Sequence, residues 1–169
     1  MTILFEDTGN GFSTFVNPSP MGACYVARVF QPSTAGLVTK ITVEIYGYND
    51  TKTYGVKMQL REEVGGSPSD DIAETSSTTL TYIADGWANY EFTFAGTLNL
   101  SDEDDYWAVI YRTDSNGTNI LIRTDNPGGS VGKYDDEGVF PWSAFVHTLD
   151  VKVEGELAGG VTRSFGVII

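Results

Sequence analysis

The chain has 169 residues, 41% hydrophobic and 20% charged, a length and balance that suit one soluble domain with a core of its own. Its net charge is −13 and its pI about 4.2, which argues against a nucleic-acid partner: phosphates would be repelled unless a segregated basic patch compensated, and the ten Lys and Arg are scattered singly. Aromatics at 12% and abundant Thr, Ser, Asn and Gly favour β structure.

In chain order, residues 1–22 read as an irregular or partly extended lead, broken by Gly9, Gly11, Pro18 and Pro20. Within it Ile3–Phe5 and Phe12–Val16 are candidates for short edge strands. The opening MTILFEDTGNG has neither a basic region nor a long apolar run, and no stretch nears the roughly 20 apolar residues that cross a bilayer. The expectation is a chain made in the cytoplasm, with no membrane partner. Cys24 is the only cysteine, so no internal disulfide forms, and its neighbours suggest a small buried hydrophobe.

Ala23–Phe30 is the first clear strand, and Leu37–Tyr48 the next, with Ile41, Val43 and Ile45 on one face and Thr42, Glu44 and Tyr46 on the other. Val56–Arg61 repeats this, with Val56, Met58 and Leu60 in and Lys57, Gln59 and Arg61 out. Val64–Asp71 (VGGSPSDD) reads as a loop, and Ile72–Thr75 and Thr79–Ile83 as polar edge segments. Trp87–Phe94 alternates again, Tyr90, Phe92 and Phe94 opposing Asn89, Glu91 and Thr93. After an acidic turn, Tyr106–Tyr111 is apolar on both faces, as in the middle of a sandwich or an interface. Asn116-Gly117 then signals a hairpin between Tyr106–Thr113 and Asn119–Arg123. An aromatic, loop-rich stretch with Tyr134, Phe140, Trp142 and Phe145 precedes a last core strand carrying Leu149, Val151 and Val153.

About nine short strands at turn-separated spacing, with no helical stripe, predict an all-β, two-sheet antiparallel β-sandwich. The cysteine pair of an immunoglobulin domain is missing, so the jelly-roll type is expected, over 23–157, followed by a tail at 158–169.

The order VFQPSTAGLVTKITVEIYGY, VKMQLRE, GGSPSDDIAET, WANYEFTFAGTLNLSDEDDYWAVIY, IRTDNPGG and LDVKVEGEL resembles the jelly-roll modules of bacteriophage virion proteins and of some secreted bacterial proteins. The resemblance covers about Ala23–Leu157 and rests on strand pattern: the W-x-x-F-x-F of those modules, answered here by Trp87-x-x-Tyr90-x-Phe92, then L-x-L before Y-W, then an apolar Lys-bearing strand. It implies a fold that serves capsid decoration, adhesion and glycan binding alike.

Candidate sites are sparse. His147 is the lone histidine and no Gly-x-Ser-x-Gly elbow accompanies it, so a structural or solvated His is expected rather than a catalytic base, and one Cys with one His cannot make a zinc site. Calcium, wanting six to eight oxygens, has candidates in Asp102, Glu103, Asp104 and Asp105 and in Asp135, Asp136 and Glu137, though contiguous acids diverge as in a solvated turn. For a glycan, KYDDEGVFPWSAF offers Tyr134, Phe140 and Trp142 beside Asp135 and Asp136; the alternative is that Phe140 and Trp142 plug one end of the sandwich. Asn49, Asn99 and Asn116 stand in N-x-Ser/Thr triplets of little weight without a secretion signal. Past the Gly159-Gly160 hinge, Arg163, Phe165, Val167, Ile168 and Ile169 form an apolar tip suited to docking on its own sandwich or on a neighbour.

The expected function is therefore that of a non-enzymatic virion structural protein, a capsid decoration or a tail or fibre component present in many copies. Its partners would be capsid or tail proteins. The alternative is a carbohydrate-binding or adhesion module whose partner is a surface glycan.

Overall fold

Alternation of apolar and polar residues builds the molecule. The computed structural model describes residues 1–7, 12–16, 25–47, 54–114, 120–125, 132–135, 142–145 and 148–158, and among these there is no helix. The strands are β1 (Thr2–Asp7), β2 (Phe12–Val16), β3 (Tyr25–Phe30), β4 (Gly36–Gly47), β5 (Val56–Val64), β6 (Ser67–Thr75), β7 (Gly86–Thr93), β8 (Asn99–Leu100), β9 (Tyr106–Arg112), β10 (Ile120–Asp125), β11 (Gly132–Asp135), β12 (Ser143–Phe145), β13 (Thr148–Leu149) and β14 (Val151–Leu157).

They form two sheets. Sheet A has 8 strands along the path β1-β14-β4-β10-β13, with β2 on β10 and both β7 and β8 on β4. Sheet B has 6 in the order β12-β11-β3-β9-β5-β6. Each strand ladder is antiparallel, and successive strands pass repeatedly between the sheets: β3 in B, β4 in A, β5 and β6 in B, β7 in A, β9 in B, β10 in A. This is the expected two-sheet sandwich, with the wrapping of a jelly roll.

The core lies between the sheets. Ile41, Val43 and Ile45 of β4 and Phe92 of β7 face Val26, Met58, Leu60 and Ile110 of sheet B, all at most 1% exposed. Their spacing of two along each strand is the cause: a half-buried sheet takes its apolar residues from alternate positions. A smaller apolar cluster lies on the far side of sheet B, where Ala27, Trp107 and Val109 are covered by Trp142. β9 is thus buried on both faces, with β3 on one edge and β5 on the other, as its apolar run predicts.

Several expectations are corrected. Val64–Asp71 is not a loop: Gly65 and Gly66, with φ of 60° and 83°, make a two-residue turn, and β6 starts at Ser67. Left-handed φ at both turn positions is the twist that closes a hairpin, and Gly adopts it without strain. Pro68 is tolerated because β6 is an edge strand and the Glu63–Pro68 pair lies next to the hydrogen-bonded pair at the turn, so its missing N–H faces away from β5. The hairpin predicted around Asn116-Gly117 does not form either. β10 pairs with β2, β4 and β13 in sheet A, because both edges of β9 are taken in sheet B; Asn116 and Gly117 themselves lie outside the described residues.

The segment read as a lead supplies two strands to sheet A. β1 pairs with β14 and buries Leu4 completely, and β2 pairs with β10. Arg28, buried on the core side of β3, fastens this edge to sheet B. It donates from Nη1 to the Leu149 carbonyl at 3.2 Å and from Nη2 to the Asp7 carboxylate, with its guanidinium over the Phe5 ring. Trp142 does not plug an end of the sandwich. It packs on the outer face of sheet B, edge-on to Tyr25 at 6.3 Å and 5.8 Å from the Arg61 guanidinium. Gln59 and Arg61, expected on a wet face, are buried there and bonded to each other at 2.8 Å.

Two substitutions test this double core by urea denaturation. Phe92→Ala empties the inner core and is expected to cost about 3–5 kcal/mol; Trp142→Ala uncovers the outer cluster and is expected to cost about 3 kcal/mol, the low end for a large aromatic. A loss under about 0.5 kcal/mol for Trp142→Ala, typical of a surface position, would contradict a second core on sheet B.

Candidate functional site

The wet face of sheet A carries the residues with the most chemistry to offer. Because Ile41, Val43 and Ile45 point inward, Thr42, Glu44 and Tyr46 point outward, half-buried. Along β4 this outward set changes character, from charged at the first end to aromatic at the second.

At the charged end Lys40 bridges Glu91 at 2.7 Å and Glu154 at 3.0 Å, and Lys152 stands 3.3 Å from Glu154. Burial pushes the Glu154 carboxyl upward, but hydrogen bonds from Lys40 and Lys152 and their charges outweigh it and hold the group below its ordinary 4.5. Hydrogen bonds to Glu91 and Glu154 hold Lys40 above its ordinary 10.5.

At the other end the ladder registers line up four residues on four neighbouring strands: Trp87 of β7 opposite Tyr46 of β4, Tyr46 opposite Leu121 of β10, and Leu121 opposite Phe15 of β2. Tyr46 meets Trp87 edge-on, with ring centroids 5.3 Å apart. A polar row runs alongside, with Asn89 opposite Glu44, and Arg123 two residues beyond Leu121 on the same face. Arg123 Nε donates to Glu44 Oε2 at 2.7 Å, and its guanidinium lies 3.9 Å above the Trp87 ring. Stacking and ion pairing together hold the guanidinium in one plane. Tyr46, Trp87, Leu121, Glu44 and Arg123 are all partly exposed. This face can stack a flat apolar surface and offer donors and acceptors along its rim.

The sequence-derived site residues lie elsewhere. Trp142 is 8% exposed in the outer cluster of sheet B. Tyr134 and Asp135 are on β11, Tyr134 opposite Ser143, one residue past Trp142. Asp136 lies outside the described residues, as do Cys24, Phe140, His147 and the tail residues Arg163, Phe165, Val167, Ile168 and Ile169. Asp102, Asp104 and Asp105 are exposed in the bend before β9. The Glu62–Tyr106 register brings the acidic end of β5 beside Asp104 and Asp105, and Glu62, Glu63, Asp104, Asp105 and Tyr106 line an open recess of about 310 Å³. Asp102 is turned to Gln31, whose Nε2 donates to the Asp102 carbonyl at 3.0 Å. Among the described residues no three His, Cys, Asp or Glu form a set able to hold a metal ion.

Sequence reasoning missed the Trp87–Tyr46 row. Its signal was present in the outward positions of two alternating strands, but only the register sets them side by side. With the fold and this face described, comparisons with protein-family models, curated proteins and solved structures give no match.

The Lys40 network predicts a pH effect. Glu154 is lowered on folding, so its contribution is present above about 4.5 and is lost as pH falls through its folded value; that of Lys40 is lost only as pH rises above 10.5. Partly exposed pairs contribute about 0–1 kcal/mol. Lys40→Met should therefore cost under about 1 kcal/mol in urea denaturation at neutral pH, and less as pH falls below 4.5. An undiminished cost in acid would contradict the assignment.

Proposed function

We propose that the protein is a non-enzymatic virion structural protein of a bacteriophage, a capsid decoration or a tail or fibre component. The observation that supports the reading is the run WANYEFTFAGTLNLSDEDDYWAVIY, which resembles the phage jelly-roll pattern and forms β7, β8 and β9 of a sandwich here. These strands belong to opposite sheets, with β7 and β8 in A and β9 in B, so the resembling stretch spans the core. Such a module is a rigid scaffold that presents a face or a terminus to neighbours repeated many times on a particle, where symmetry multiplies a modest contact.

In this reading the tail is the anchor. Phe165, Val167, Ile168 and Ile169 are apolar, and each large side chain fully buried against a capsid or tail protein contributes about 1.5–3 kcal/mol before ordering costs. Arg163 adds an ionic partner. A second reading, a carbohydrate-binding or adhesion module, is favoured by one observation, the aromatic row on sheet A.

Mass spectrometry of gradient-purified particles tests the first reading: the chain should be found at many copies per particle, and its absence from particles would contradict it. Deleting 161–169 should leave a cooperatively folding sandwich, because β14 already ends at Leu157, and should abolish incorporation into particles. Incorporation of the truncated chain at full occupancy would place the anchor elsewhere.

A further inference from the structure

Three bulky side chains in register on a wet sheet face, Trp87, Tyr46 and Leu121, are unusual, because such faces are commonly dressed in Thr, Lys and Glu. The opposite end of the same strands follows that rule, with Lys40, Thr42, Glu91 and Lys152. The apolar end is therefore local. We propose that this platform, Trp87, Tyr46 and Leu121, binds a neutral oligosaccharide, with Asn89 and Glu44 reading its hydroxyls and Arg123 holding Glu44 and the Trp87 ring in place. This goes beyond the virion assignment and deepens the carbohydrate-binding reading, on which it rests, while moving the site from sheet B to sheet A.

Three observations select the occupant. The first is chemistry. A pyranose ring has an apolar C–H face and a rim of hydroxyls that both donate and accept. The row supplies an apolar floor, the Trp87 ring with one face under the Arg123 guanidinium, and beside it Asn89 offers donor and acceptor and Glu44 an acceptor. A stacked, ion-paired guanidinium is already oriented, so less ordering entropy is lost on binding.

Charge is the second. Arg123 and Glu44 neutralise one another, and Lys40 and Lys152 are paired with Glu91 and Glu154. On a chain of net charge −13 this leaves a neutral patch in an acidic field, which repels anionic glycans and nucleic acid and leaves an uncharged ligand unaffected.

Size is the third. Three strands at the usual sheet spacing set the row about 10 Å across, and with the polar row beside it the face is about 7 Å wide. That is on the order of 70 Å² of face, against about 800 Å² per partner in a stable protein interface. The row is too small to be a protein interface on its own, and too long for a single sugar ring. A short stretch of an extended chain of sugars fits it.

Affinity electrophoresis tests this on the full chain. The native gels contain mannan, mixed-linkage β-glucan, galactomannan, xylan, dextran or starch as neutral probes, and alginate and hyaluronan as anionic ones. The protein should be retarded by at least one neutral polysaccharide and by neither anionic one. Trp87→Ala and Tyr46→Ala should each weaken that binding by about tenfold or more, the scale of one lost aromatic contact. Trp87→Phe keeps a ring in the row and should retain most of the affinity, which separates a lost platform from a lost fold. Asn89→Ala, on the exposed rim, should weaken binding with unchanged thermal stability. Trp142→Tyr should leave binding unchanged. No retardation in any neutral gel, retardation by the anionic polymers alone, or binding insensitive to Trp87→Ala and Tyr46→Ala overturns the proposal. None of these results bears on whether the chain is found in virions, so the two readings fail separately.

Discussion

The register of β4 is the constraint on which the rest of the structure depends. This 12-residue strand carries β7 and β8 on one edge and β14 and β10 on the other, so four ladders refer to it. With a side-chain period of two, burying Ile41, Val43 and Ile45 forces Glu44 and Tyr46 outward. A slip of one residue would put Tyr46 and Glu44 in the core and three large aliphatic residues in water. At about 1.5–3 kcal/mol for each, that loss is comparable to the whole stability of a domain this size, so no slipped register competes. The same alternation that makes the core therefore also makes the outward row, and it delivers Trp87 and Leu121 to the two sides of Tyr46.

Sheet B solves a different problem. β9 is apolar on both faces, and a sandwich covers only one of them. Trp142 supplies the missing cover over Trp107 and Val109, and its ring meets Arg61. Arg61 is held in turn by Gln59 and by the Ser69 carbonyl at 2.8 Å, so its charge is hydrogen-bonded although it is buried. Arg112 follows the same logic on the core side, with two bonds to Asp114 and its guanidinium over Tyr54. A buried arginine is tolerated where its fork is satisfied and its plane rests on a ring, and removing one partner costs far more than the pair contributes. With one cysteine in the chain, these clamps and the packing of the two clusters do the work that disulfides do in other small sandwiches.

Much of this was legible in the residues. β4, β5, β7, β9 and β14 were read from alternation or apolar runs, with the correct inward set in each alternating strand, because burial on one face leaves that imprint directly. What escaped were facts of pairing. Nothing local to Asn116-Gly117 says that β9 has no free edge, and nothing in VGGSPSDD says that Pro68 falls at a position whose N–H is unused. Trp142 was read as a sandwich plug or a sugar platform, and neither reading foresees an outer cluster, because the strands beneath it come from three separate stretches of sequence. The aromatic row was hidden for the same reason: Tyr46, Trp87 and Leu121 are far apart in the chain, and only the ladder makes them neighbours.

The most direct test of the account is therefore of the β4 register itself, by nuclear Overhauser contacts from the Tyr46 ring in solution. The register predicts cross-peaks from that ring to the Trp87 indole and to the Leu121 methyl groups, together with contacts from the Ile45 methyls to core side chains, and none from Tyr46 to Val26 or Ile110. Contacts between Tyr46 and Ile110, or the absence of cross-peaks to both Trp87 and Leu121, would contradict it and remove the outward row with it.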